Sequence, residues 1–113
     1  MSAKGTSTFI MQRATSVLLL PLTLWLVWSL VRLAAAGAGY EEARAWASSP
    51  LNAALMAAFV VVSAAHMRIG LAEVIEDYIH SGMKGLLMTL NWLAALAVIG
   101  AGLYAAYLLA FAG

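Results

Sequence analysis

The sequence contains no cysteine. That excludes disulfides, iron–sulfur ligation and thiolate chemistry by this chain. Charge is scarce as well: six basic and five acidic residues make up 10% of the 113 positions, whereas 65% are hydrophobic. A soluble domain carries roughly a quarter charged residues. The composition therefore points to an integral membrane protein, and the length allows one small helical bundle. A formal charge of +1 gives no reason to expect nucleic acid as a partner. There is no internal repeat and no low-complexity tail. The polar N-terminus, MSAKGTSTFIMQRATS, has one Lys and one Arg but lacks the compact charge–apolar–cleavage-site order of a signal peptide. It also lacks the Arg-rich amphipathic character of a transit peptide. Starting at Met, the chain reads as complete, which favours a bacterial inner membrane protein.

What is abundant is apolar sequence, in three long stretches. Spans are expected over about residues 14–36, 51–75 and 85–111, within a single membrane domain covering 1–113. Each can cross a hydrocarbon core of ~30 Å at ~1.5 Å per residue. The fold class is all-α membrane, with three transmembrane helices. Pro21 interrupts the first span. Thr15, Ser16 and Thr23 are candidates to satisfy the carbonyl it frees, and a packing kink is the expected outcome. Gly37 and Gly39 stop that helix. Tyr40 to Ala47 reads as a short amphipathic surface turn or helix, with Trp46 as an interfacial anchor. Ser48 or Ser49 can cap the second span, with Pro50 in its first turn. EDYIHSGMKG reads as a tight polar turn before the third span.

Lysine and arginine set the orientation. With the N-terminus in the cytoplasm, Lys4, Arg13, Arg68 and Lys84 lie on or near that side, against Arg32 and Arg44 outside. The third span carries small residues at four-residue spacing, Ala97, Ala101 and Ala105, then Gly102, Ala106 and Ala110. Such stripes let helices approach closely in lipid. Its one strongly polar residue, Asn91, reads as a helix–helix hydrogen bond.

The second span ends differently. HMRIGLAEVIEDYIHSG places two histidines, an arginine, three carboxylates and a tyrosine where burial in lipid disfavours all of them. On a helix, His66, Gly70, Glu73 and Asp77 share a stripe, with Asp77 about 16 Å below His66. Gly70 removes bulk beside His66, so that a flat ligand could lie against the backbone, and Ser63, Ala64 and Ala65 offer further room. His66 is either a ligand or a histidine hydrogen-bonded to a neighbouring helix, and spacing alone leaves both open. Zinc fits poorly, because no second His or Cys lies at i+3 or i+4. Haem iron, needing one axial imidazole per helix, fits better. His80 lies roughly 20 Å further along, so a second axial ligand would have to come from another protein. Arg68 points away from the His66 stripe and either snorkels to headgroups or meets an anionic group such as a haem propionate. Arg13, at the same membrane face, suits a propionate or a lipid phosphate. Tyr78 and Asp77 suit a quinone, as a donor to its oxygen and a proton route, or else form an interfacial anchor with an acidic helix end.

The spacing His66, Gly70, Asp77–Tyr78, with QRATS opening the first span, resembles the hydrophobic membrane anchors of succinate dehydrogenase (respiratory complex II), specifically the small cytochrome b anchor. The resemblance covers nearly the whole chain. It implies that this chain pairs with a sister three-helix anchor around a haem. His66 would be one axial ligand of haem b, and the sister anchor would supply the other. The resemblance also implies that Tyr78 hydrogen-bonds ubiquinone, with Asp77 linked to proton delivery. Arg13 matches an arginine near the haem propionates and quinone, whereas Arg68 is a propionate candidate from its position alone. Implied partners are the sister anchor of succinate dehydrogenase, its iron–sulfur protein and its flavoprotein, besides membrane lipid. Succinate chemistry would occur on those other chains, since this one has no flavin motif and no cysteine, and no stand-alone activity is expected. The implied role is as one chain of a succinate:ubiquinone oxidoreductase, serving the tricarboxylic acid cycle and electron transport. Two alternatives remain open here: a haem-free structural anchor and a small multi-span transporter.

Overall fold

The structure, a computed structural model, describes residues 3–112. It is all-helical: α1 (Ala3–Ala35), α2 (Tyr40–Ser48), α3 (Pro50–Tyr78) and α4 (Met83–Tyr107), which continues into a π-helical turn at Leu108–Ala112. Three of these helices are long and apolar enough to cross a membrane, Gly5–Ala35, Pro50–Tyr78 and Met83–Phe111. The three expected spans are therefore present, but α1 starts about three turns before residue 14. Once the apolar span has formed a helix, propagation into the polar N-terminal residues costs far less than nucleation. At 33 residues it is about 50 Å long, well beyond the ~30 Å of a hydrocarbon core.

Helix α1 ends in a Schellman motif. Gly37 takes φ 70°, the left-handed conformation that glycine adopts without a Cβ penalty. The Ala38 N–H then donates to Leu33 O, and the Gly37 N–H to Ala34 O, both at 3.0 Å. The Gly39 N–H donates to the Glu42 carboxylate at 3.0 Å, which opens α2 as the expected surface helix. Trp46, expected as an interfacial anchor, stacks its ring on Trp25 of α1 at 5.6 Å. Ser49 precedes α3, with Pro50 as its first residue, but no serine hydroxyl caps that helix. Instead the Asn52 side chain donates to Trp46 O at 2.9 Å and ties α3 back to α2. The Thr15 and Ser16 hydroxyls bond carbonyls of their own preceding turn, at Met11 and Gln12. Neither serves the carbonyl that Pro21 leaves free.

Helix α3 is central and packs against both α1 and α4, which scarcely meet each other. Two features draw α4 close. A Cβ on Gly102 would collide with the Val60 side chain, so this glycine sets the approach distance. The Asn91 side chain, 7% exposed, donates to Arg68 O at 2.8 Å, the expected helix–helix bond. Of the two small-residue stripes, Gly102, Ala106 and Ala110 are partly covered, whereas Ala97, Ala101 and Ala105 are exposed. Replacing Gly102 with Val should overpack this contact by about 1–3 kcal/mol and lower the unfolding midpoint in detergent. Gly100→Val, where a Cβ meets nothing within 4 Å, should leave that midpoint near the parent's. Equal midpoints would refute the close α3–α4 approach.

Little of the chain is internal. Within the most apolar stretch of each span, only 6%, 11% and 6% of residues are buried. The core is made of small residues and one isoleucine: Ala53, Ala64, Ile69 and Ala95. An apolar surrounding such as lipid must cover the rest, because exposed apolar surface on this scale is unfavourable in water.

Candidate functional site

Helix α3 carries His66 twelve residues before its last residue, Tyr78, about 18 Å along the axis. The histidine is half-buried and faces α1. Its Nδ1 lies 2.9 Å from Oγ1 of Thr15, a residue only 5% exposed. The same Oγ1 is 2.9 Å from Met11 O and 3.1 Å from Gln12 O. No hydrogen bond among the described residues engages the other ring nitrogen, Nε2. The helix–helix hydrogen bond anticipated as one reading of His66 is thus present, and it uses only one end of the ring.

One turn along α3, Gly70 does not open a free slot for a flat ligand. The Gln12 side chain of α1 occupies that space, its Nε2 standing 3.4 Å from where a Cβ on Gly70 would be. The Gln12 Oε1 is buried and has no hydrogen-bond partner among the described residues. Ala64, expected to leave room above His66, is packed at 6% exposure. The sequence pattern does not pair Thr15 or Gln12 with His66. The signal that could have drawn notice to them is their i, i+3 spacing, which puts two polar side chains on one face of an apolar helix.

The remaining candidates are dispersed. Arg68 meets α4, its guanidinium 3.9 Å from the Trp92 ring centroid. It borders a groove of about 450 Å³ lined also by Thr8, Glu73, Glu76, Met88 and Trp92. A cation over indole is held by the ring's quadrupole, so Arg68 is anchored on α4 rather than reaching out alone. Arg13 is exposed, with its guanidinium 5.2 Å from the Phe9 ring. Asp77 and Tyr78 end α3 in exposed positions, Tyr78 at 76% exposure. Tyr78 does not line the Arg68 groove. His80 is exposed in the turn before α4. Among the described residues, no three histidine or carboxylate side chains converge as a metal-ion cage.

This arrangement offers one imidazole oriented from within the chain and, at the helix end, a phenol and a carboxylate with open surroundings. Neither group forms a complete site among the described residues. No curated protein and no solved structure matches the sequence. A family model does match, over residues 1–110, and it describes the transmembrane subunit of succinate dehydrogenase/fumarate reductase. The chain is therefore a member of the succinate dehydrogenase/fumarate reductase transmembrane-subunit family and serves as a multi-pass membrane anchor.

Proposed function

We propose that this anchor is the small cytochrome b type of a succinate:quinone oxidoreductase in a bacterial inner membrane, holding haem b with a sister anchor and forming one wall of a ubiquinone site. The observation that carries this reading is His66, held at Nδ1 by Thr15 with Nε2 free of hydrogen bonds among the described residues. Such a nitrogen would be the one this chain offers to a haem iron. When bound, haem supplies one-electron redox capacity at that position. His66 would ligate the iron and Thr15 would hold the imidazole. Exposed Arg13 would meet a propionate or the quinone region. Arg68 is the weaker propionate candidate, because its guanidinium already lies on Trp92. At the end of α3, the Tyr78 hydroxyl would donate a hydrogen bond to a quinone oxygen. Asp77 beside it would hold and pass a proton at its carboxylate. Both are exposed in this chain, which leaves them available to a pocket completed by partner chains.

Family membership displaces the transporter alternative. A haem-free anchor is the second reading, favoured by the same Thr15 bond, which would satisfy one nitrogen of a purely structural histidine. Purification in mild detergent separates the two. The expected complex contains a flavoprotein, an iron–sulfur protein and a second anchor, with a b-type optical spectrum. The same set of chains without that spectrum would establish the haem-free reading. The orientation is tested by reporter fusions. The N-terminus and the 79–82 turn should report as cytoplasmic and the C-terminus as external, from the Lys/Arg bias. A cytoplasmic C-terminus would contradict three crossings in that direction.

A further inference from the structure

We infer that Thr15 is a positioning residue that fixes His66 in its Nδ1–H tautomer and so presents Nε2 as a bare lone pair. The inference follows from counting protons. A threonine hydroxyl has one proton to give and two lone pairs to accept with. Thr15 Oγ1 has three close polar neighbours: Met11 O at 2.9 Å, Gln12 O at 3.1 Å and His66 Nδ1 at 2.9 Å. The two carbonyl oxygens can only accept. If the hydroxyl proton pointed at Nδ1, two carbonyl oxygens would face Oγ1 at hydrogen-bond distance with no proton between them. Thr15 is only 5% exposed, so water does not readily relieve that opposition. If the proton points at Met11 O and Gln12 O, Oγ1 is left as an acceptor, and Nδ1–H supplies the donor. Every contact is then a hydrogen bond. In the neutral ring, a proton on Nδ1 leaves the lone pair on Nε2.

The arrangement extends from Met11 O through Thr15 Oγ1 to the imidazole, so the helix backbone of α1 orients a side chain of α3. A second-sphere acceptor on the non-ligating nitrogen fixes the tautomer and makes the ring a stronger donor. The relevance of this to an iron rests on the haem reading proposed above, but the tautomer itself does not.

The test keeps those two apart. The full chain carries two histidines, so a 15N-histidine-labelled sample in bilayers gives two imidazoles, and His80→Gln assigns them. The sample is prepared without haem and measured about two pH units above the ordinary imidazole value of ~6.5. His66 should show a protonated Nδ1 and an unprotonated Nε2. Thr15→Val, similar in shape but lacking the hydroxyl, should shift the Nδ1–H to Nε2–H ratio toward Nε2–H by about two- to tenfold, the range for one lost hydrogen bond. Thr15→Ser should restore the parent ratio. An Nε2–H majority in the parent, or a Thr15→Val ratio equal to the parent's, overturns the inference. In the purified complex, Thr15→Val should raise the haem midpoint potential, with about 59 mV for each tenfold change in the oxidised-to-reduced equilibrium, and Thr15→Ser should not. A parent complex with no b-type spectrum would remove the haem reading and leave the tautomer result standing by itself.

Discussion

Complex carrying His66→Leu should lack the low-spin b-type spectrum while retaining all its chains. The expected loss is larger than the roughly 10–100-fold in affinity that removing an outer-sphere partner of a metal site costs, because here the ligating atom itself is gone. Assembly should survive, since the substitution removes a single interhelical hydrogen bond, to Thr15, of about 1 kcal/mol net. The Thr15 hydroxyl keeps its carbonyl acceptors at Met11 and Gln12, so no buried polar group is orphaned on α1. The contacts that seat α4, Gly102 on Val60 and Asn91 on Arg68 O, are not touched. His80→Leu serves as the control. His80 is exposed in the turn, and its replacement should leave the spectrum as in the parent. An unchanged low-spin spectrum in His66→Leu would refute the ligand assignment.

Tyr78→Phe should separate quinone reduction from succinate oxidation. The substitution removes one hydroxyl from a ring that is 76% exposed in this chain, so the fold loses almost nothing. If that hydroxyl donates to a quinone oxygen, its loss costs on the order of 1–3 kcal/mol. Each ~1.4 kcal/mol is about tenfold, so quinone reductase activity should fall roughly five- to hundredfold. Electron transfer from succinate to a soluble artificial acceptor should stay near the parent value, because it draws on the flavin and iron–sulfur chains. Asp77→Asn, next to it and likewise exposed, should give a smaller loss in the first assay alone. The deciding quantity is the ratio of the two activities. Both activities at the parent's level would mean that Tyr78 is an interfacial anchor and that the quinone contacts other residues, whereas both falling together would mean that the substitution has damaged assembly.

The membrane class, the three crossings, the surface helix after α1 and the turn before α4 were all legible in the sequence. So was the oddity of His66, and the helix–helix role of Asn91. These are properties of one helix at a time. Whether twenty apolar residues can cross a bilayer depends on their own transfer energies, and whether Gly37 ends a helix depends on its own φ. The length of α1 was not legible in the same way. Lys4, Thr6, Ser7 and Thr8 look like a polar tail, yet the structure carries helix through them from Ala3, because propagation from a formed span is favourable.

Tertiary structure decided which side chains meet. His66 and Thr15 are 51 positions apart, and nothing in the local pattern of either helix pairs them. The slot at Gly70 looks open along α3, but Gln12 of α1 fills it. Arg68 looks free to snorkel, but the Trp92 face of α4 receives it. The physical reason is common to all three. Hydropathy tells a helix to enter the bilayer but does not choose its neighbour, since lipid tails and leucine side chains are equally apolar. Register and rotation are set by how closely helix surfaces fit, and here one glycine against Val60 and one asparagine bond to Arg68 O determine how α4 meets α3.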